Sequence, residues 1–182
     1  MPMVGVSRTS SKLAPESLYE YALRVLGRRP HTSAELRAKL ARRSAEESAV
    51  EAVISRLRDN GYVDDELVAE SHSEFRRDYA LVGHKRVLDE LRRRGVETST
   101  AERVVEEAYD EADEAELARG FLRRKLGQDL AGVKINGRRE LNRLYGALAR
   151  AGFEPNVIAD VLREVSEDDE LLDALANVDL GD

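Results

Sequence analysis

Apolar side chains recur along this chain at intervals of three and four residues, the spacing of one face of an α-helix. Leu36 and Leu40, then Val87, Leu88 and Leu91, then Leu141, Leu144 and Leu148 each mark such a face. The pattern also repeats on a larger scale. Leu36, Leu40, Val53 and Ile54 are followed 51 residues later by Val87, Leu91, Val104 and Val105, and a further shift of 57 reaches Leu144, Leu148, Val161 and Leu162. The turns keep pace: Ser44, Gly95 and Gly152 each fall four residues after the matched leucine, and the two glycines suit a left-handed helix end. These registers predict three copies of one three-helix unit, about nine helices in all, and no sheet.

Punctuation between the periodic segments supplies the helix ends. Ser44 with Glu47 and Ser99 with Glu102 have the spacing of a capping box, and Glu154-Pro155 puts proline at a first helical position. Asn60-Gly61 stops a helix, and Asp64 or Asp65 can cap the next, which is expected to run toward Leu81 before Gly83. The resulting organisation is a disordered segment 1–15, repeats at 16–62, 63–110 and 111–165, and an acidic tail 166–182. Residues 127–137, with three glycines and no helical period, are read as a flexible joint inside the third repeat. Leu171, Leu172 and Leu175 could add one short helix to the tail. Units this small bury little surface alone, so they are expected to pack end to end as an all-α tandem array, elongated and able to curve.

Composition narrows the class. A hydrophobic share of 42% over 182 residues permits a core, and 36% charged residues with four prolines favour helices. The absence of cysteine excludes disulfides, thiolate metal sites and a cysteine nucleophile, and fits a reducing, cytoplasmic setting. Met1 to Lys12 holds no apolar run of the length of a signal sequence or a membrane span. The net charge of −7 would argue against phosphate binding, but its distribution is uneven. Arg24, Arg28, Arg29, Arg37, Lys39, Arg42 and Arg43 oppose only Glu35, acids dominate from Glu46 to Glu70, and the alternation then recurs. Arg119 to Arg150 carries nine basic residues against Asp129 and Glu140.

No catalytic constellation emerges. His31, beside Pro30, reads as an exposed turn residue, His72 as a packed core histidine, and His84, after Gly83, as a capping or solvent-facing residue. The acids Asp64, Asp65 and Glu66, and Asp110, Glu111, Asp113 and Glu114, are explained by the helix dipole without a metal. Phosphate-binding glycine loops, hydrolase elbows and dinucleotide fingerprints do not occur, so no cofactor is expected. Lys85 with Asp89, Arg86 with Glu90, Asp89 with Arg93 and Glu90 with Arg94 read as a solvated, self-paired helix face. Arg119 with Arg123, and Arg139 with Arg143, share faces without an acid four residues away, an excess that suits an anionic partner.

Between Tyr19 and Val165 the chain resembles the RecX family, regulators of the RecA recombinase. The resemblance rests on Ala22-Leu23, Ser33-Ala34-Glu35-Leu36 and Leu40, followed by Gly61-Tyr62-Val63-Asp64-Asp65 leading to Ala69 and Arg76. Gly83, Leu91, Arg94, Gly95 and Val96 come next, then Ala118, Leu122 and Lys125, then Leu148-Ala149-Arg150-Ala151-Gly152-Phe153 and Ile158. Where the family usually has an aromatic residue before the matched alanine and another three residues after it, this chain has Val68 and His72, an altered core filling.

What the resemblance implies is a non-enzymatic protein that binds the RecA filament on single-stranded DNA in its helical groove. It would impede filament growth, strand exchange and repressor cleavage in the SOS response. The expected partners are the RecA filament and, mainly through it, single-stranded DNA with weak direct contact, the protein acting as a monomer and not at a membrane. Candidate electrostatic contacts are Arg119, Arg123, Arg124, Lys125, Arg139, Arg143 and Arg150, with Lys85, Arg92, Arg93 and Arg94 second. A helix-turn-helix regulator reading duplex sequence is the competing expectation, and a metal-dependent nuclease built on the acidic clusters is a remoter one.

Overall fold

The structure, a computed structural model, describes residues 14–44, 46–131, 133–135 and 137–166. Among these, nine helices follow one another: α1 (Pro15–Leu26), α2 (Ser33–Ala41), α3 (Glu47–Asp59), α4 (Asp65–Asp78), α5 (His84–Arg93), α6 (Thr98–Tyr109), α7 (Glu114–Leu126), α8 (Arg138–Arg150) and α9 (Pro155–Val165). The sole β-type pairing among the described residues is a parallel bridge between Ile135 and Ser166. All twelve positions of the repeat register are buried, none more than 5% exposed, so the long-range periodicity is a periodicity of core positions.

Packing divides the chain into two compact units, one drawn from Met1–Val68 with Arg94–Val96, the other from Ala69–Arg93 with Glu97–Asp182. In the first, α3 packs on α1 and α2. Its core joins Leu18, Ala22, Leu36, Leu40, Val50, Val53, Ile54, Leu57 and Val63, with Tyr19 and Tyr21 partly buried against it. Thr32 opens α2 with a complete capping box: its hydroxyl accepts the Glu35 N–H at 3.1 Å, and the Glu35 carboxylate accepts the Thr32 N–H at 3.2 Å. The Asp64 carboxylate caps α4 by accepting the N–H groups of Glu66 and Leu67, each at 3.0 Å.

In the second unit α5 packs on α6, and α7, α8 and α9 pack on one another. Asp113 caps α7, accepting the Glu116 N–H at 3.0 Å, and Gly127 ends that helix in the left-handed conformation, φ 70°. Within the stretch 127–137, Leu130 and Ile135 are buried, and the Ile135 N–H donates to the Val165 carbonyl at 2.7 Å.

Several local expectations need correction. The Ser44 hydroxyl accepts the Glu46 N–H rather than capping with Glu47, and α3 opens at Glu46 without a side-chain cap. Glu97, not Ser99, caps α6 by accepting the Thr100 N–H at 3.1 Å. Helix α4 stops at Asp78, and Leu81 takes a positive φ of 53°, which an α-helix cannot accommodate. Pro15 is already the first residue of α1, inside the stretch expected to be disordered. Residues 1–13, Gly132, and the expected tail helix through Leu171, Leu172 and Leu175 lie outside the described residues.

Candidate partner and nucleic-acid interface

A contact between two glycines organises the basic residues of the second unit. The Gly83 N–H donates to the Ala151 carbonyl at 2.9 Å. A side chain on Gly83 would overlap the Gly152 carbonyl, and one on Gly152, whose φ is 89°, would overlap the Arg86 backbone. Only glycine at both positions lets the first turn of α5 sit on the α8–α9 turn. Arg86 is thereby brought beside the end of α8, where its guanidinium donates to the Arg150 carbonyl at 3.4 Å.

The structure assigns many of the expected contact residues partners that spacing did not show. Arg119 donates to Glu164 at 2.8 Å and to Glu116 at 3.2 Å, and Arg123 donates to Glu116 at 2.9 Å with Asp129 at 3.7 Å. The expectation of an unpaired excess for Arg119 and Arg123 is therefore wrong, because the acids come from three, six or seven residues away and from α9 rather than from the fourth neighbour. Arg124 donates to the carbonyls of Tyr79, at 2.8 Å, and Ala80, closing the turn after α4. Arg143 pairs with Glu140 at 3.2 Å, while Arg139 is exposed and makes no ion pair among the described residues.

On α5, Arg86 pairs with Glu90 at 2.7 Å and Arg93 with Asp89 at 3.6 Å, as the spacing predicts. Lys85 instead meets Glu154 at 2.7 Å, Arg92 meets Glu102 at 2.7 Å, and Arg94 leaves Glu90 for Glu35 at 3.0 Å. Within the first unit, the Arg94 carbonyl also accepts the Thr32 hydroxyl at 2.6 Å, so Arg94 is tied down at both ends. The face is not simply solvated. Glu90 is largely buried and collects His72 at 3.0 Å, Arg76 at 2.8 Å and Arg86. Burial opposes its ionisation, but the hydrogen bonds from Arg86 and His72 and the charge of Arg76 outweigh that and hold its carboxyl below the usual range.

Four cations converge on one open concavity of about 280 Å³: Arg76 from α4, Arg86 from α5, Lys125 from α7 and Arg150 from α8, around Val82, Phe121, Ala147 and Ala151. Lys125 and Arg150 were expected contacts. Arg76 was visible only as a residue of the family resemblance, and Arg86 was hidden by its neighbouring acid. The buried Nε of Arg76 has no hydrogen-bond partner.

The histidines and acids find structural roles. His31 is buried, 4% exposed, not an exposed turn residue; its Nδ1 lies 2.8 Å from the Arg29 carbonyl, and burial lowers its pKa. His72 is half-buried against Glu90. His84 contacts Glu114 through Nδ1 at 2.7 Å and Glu154 at 3.6 Å through Nε2, and the Glu114 hydrogen bond raises its pKa. Burial disfavours the Glu114 carboxylate, but hydrogen bonds from the His84 ring and backbone prevail and lower its pKa. Among the described residues no set of three histidines or carboxylates converges as for a metal ion, and no helix is long and apolar enough to cross a membrane.

Comparison with known proteins gives consistent matches. Residues 19–57 match the family model described as RecX, first three-helix domain. A regulatory protein RecX of Mycobacterium sp. (strain KMS) is 39% identical over 150 residues, covering 81% of this chain and 80% of the relative. That of Deinococcus radiodurans is 37% identical over 153 residues, 84% of this chain and 70% of the relative. In fold, the chain resembles the crystal structure of RecX from Lactobacillus salivarius, with a TM-score of 0.66 at 21% identity, covering 83% of this chain and 96% of that one. A second crystal structure of regulatory protein RecX matches with a TM-score of 0.64.

Proposed function

The chain belongs to the RecX family of regulatory proteins, and from that membership we propose that it binds the RecA filament on single-stranded DNA. Bound there, it lowers the recombinase, ATPase and coprotease activities of RecA and so modulates DNA repair and the SOS response. It works by binding rather than by catalysis, as a cytoplasmic monomer. The three successive helix triplets, α1–α3, α4–α6 and α7–α9, are its working modules.

Family membership carries this reading, and the electrostatics support it. The chain is acidic overall, which discourages indiscriminate DNA binding, yet the second unit keeps cations that its own acids do not consume. Arg139, Arg150 and Lys125 are the contacts proposed first, with Arg143 and Arg93, whose pairs with Glu140 and Asp89 are exposed, beside them. Arg119, Arg123, Arg124, Lys85, Arg92 and Arg94, tied to the internal partners described above, are proposed as secondary contacts.

The triple substitution Arg139→Ala, Arg143→Ala and Arg150→Ala tests the proposal in a RecA ATPase assay. The concentration needed for half-maximal inhibition should rise at least about tenfold, equivalent to ~1.4 kcal/mol, and the salt dependence should flatten. Unchanged inhibition with unchanged salt dependence would contradict the assignment of these residues.

A further inference from the structure

We infer that the concavity between Arg76, Arg86, Lys125 and Arg150 seats a backbone phosphate of a single nucleic-acid strand. The inference deepens the proposed function, and its choice of a nucleic-acid strand rests on that reading. No acidic side chain lines the concavity. Glu90, which does not line it, bonds Arg76 and Arg86, while Lys125 and Arg150 have no acidic partner among the described residues, so a surplus of positive charge remains.

Hydrogen-bonding capacity points the same way. Arg76 lines the concavity while only its Nη2 is engaged, by Glu90 at 2.8 Å, and its Nε–H has no acceptor, so its guanidinium is under-satisfied by the protein. The carbonyls that end α8 and would repel an anion are already taken, that of Arg150 by Arg86 and that of Ala151 by the Gly83 N–H. A phosphate offers several acceptor oxygens to guanidinium groups approaching from different helices, whereas one carboxylate offers two.

The floor favours a strand over a free ion. Phe121 lines the concavity, its ring held edge-on by Phe153 at 6.2 Å between centroids. A cationic track beside an aromatic ring is the combination that holds single strands, phosphates on the cations and a base on the ring. The site is open, so a chain can pass across it.

The test uses the full chain and a fluorescein-labelled oligothymidylate, read by anisotropy across a salt series. Lys125→Gln with Arg150→Gln alters the concavity, and Arg103→Gln with Arg163→Gln removes the same charge elsewhere in the unit. The melting temperature of each variant confirms that it is folded. The concavity variant should weaken binding about tenfold and reduce the magnitude of the log–log salt slope by about 1.4, while the control stays within about twofold of the parent.

Equal weakening by both variants, or none by the concavity variant, would overturn the inference. So would stabilisation by inorganic phosphate without oligonucleotide binding, which would mark a free-anion site. Inhibition of RecA by the unaltered chain is measured alongside. If the concavity variant loses that inhibition but keeps its DNA affinity, the site takes a protein carboxylate. The phosphate assignment then fails while the RecA reading stands.

Discussion

His84 holds its proton more firmly than a free imidazole because Glu114 accepts a hydrogen bond from its ring, with Glu154 adding a second negative charge. A histidine whose pKa is raised on folding adds stability that is complete below its unfolded value of about 6.5 and disappears as pH climbs through the folded value. Urea unfolding midpoints should therefore fall as pH rises above about 6.5, and His84→Gln should remove that part of the slope. His31 behaves in the opposite sense: burial lowers its pKa, so its contribution is lost as pH falls below about 6.5. The glycine contact offers a second test at this scale. Gly152→Ala combines a positive φ with overlap on the Arg86 backbone and should cost about 3 kcal/mol in urea unfolding. Gly127→Ala, at φ 70° but with open space around it, should cost about 1 kcal/mol.

Each helix buries the residues its period marks, which is why the element pattern could be read from the chain. Leu91 is fully buried and Leu88 only partly so, although both lie on the apolar face of α5. Leu91→Ala should cost about 2–5 kcal/mol and Leu88→Ala clearly less, measured by chemical denaturation. Hydrophobic periodicity is local, so it located the twelve register positions and the glycine turns at Gly95 and Gly152. Helix starts were less legible, because several residues near each start can cap it. Thr32 with Glu35 forms the capping box, while Ser44 and Ser99 do not, and nothing in the spacing ranks the three. The ion pairs were less legible still. Glu164 meets Arg119 across 45 residues of sequence, and Glu90 binds His72 and Arg76 as well as its own fourth neighbour. Glu90→Gln should therefore destabilise by about 1–3 kcal/mol, more than neutralising the exposed Asp89, as thermal melts would show.

At the scale of the whole molecule, an acidic chain carries basic residues gathered at particular places, and in the proposed function these meet RecA and its single strand. Individual cations were visible in the sequence. Their division into those spent on internal acids, such as Arg119 and Arg94, and those at the concavity without an acidic partner, Lys125 and Arg150, required the fold, because the acids come from distant parts of the sequence. Regulation of RecA by binding is the central claim. Its most direct test is the single-stranded-DNA-dependent ATPase of RecA, followed with filament length, as this protein is added at substoichiometric ratios at low and high salt. Both should fall, and the effect should weaken as salt rises. ATPase and filament length that stay unchanged at every ratio, with the RecA shown to be active, would contradict that claim.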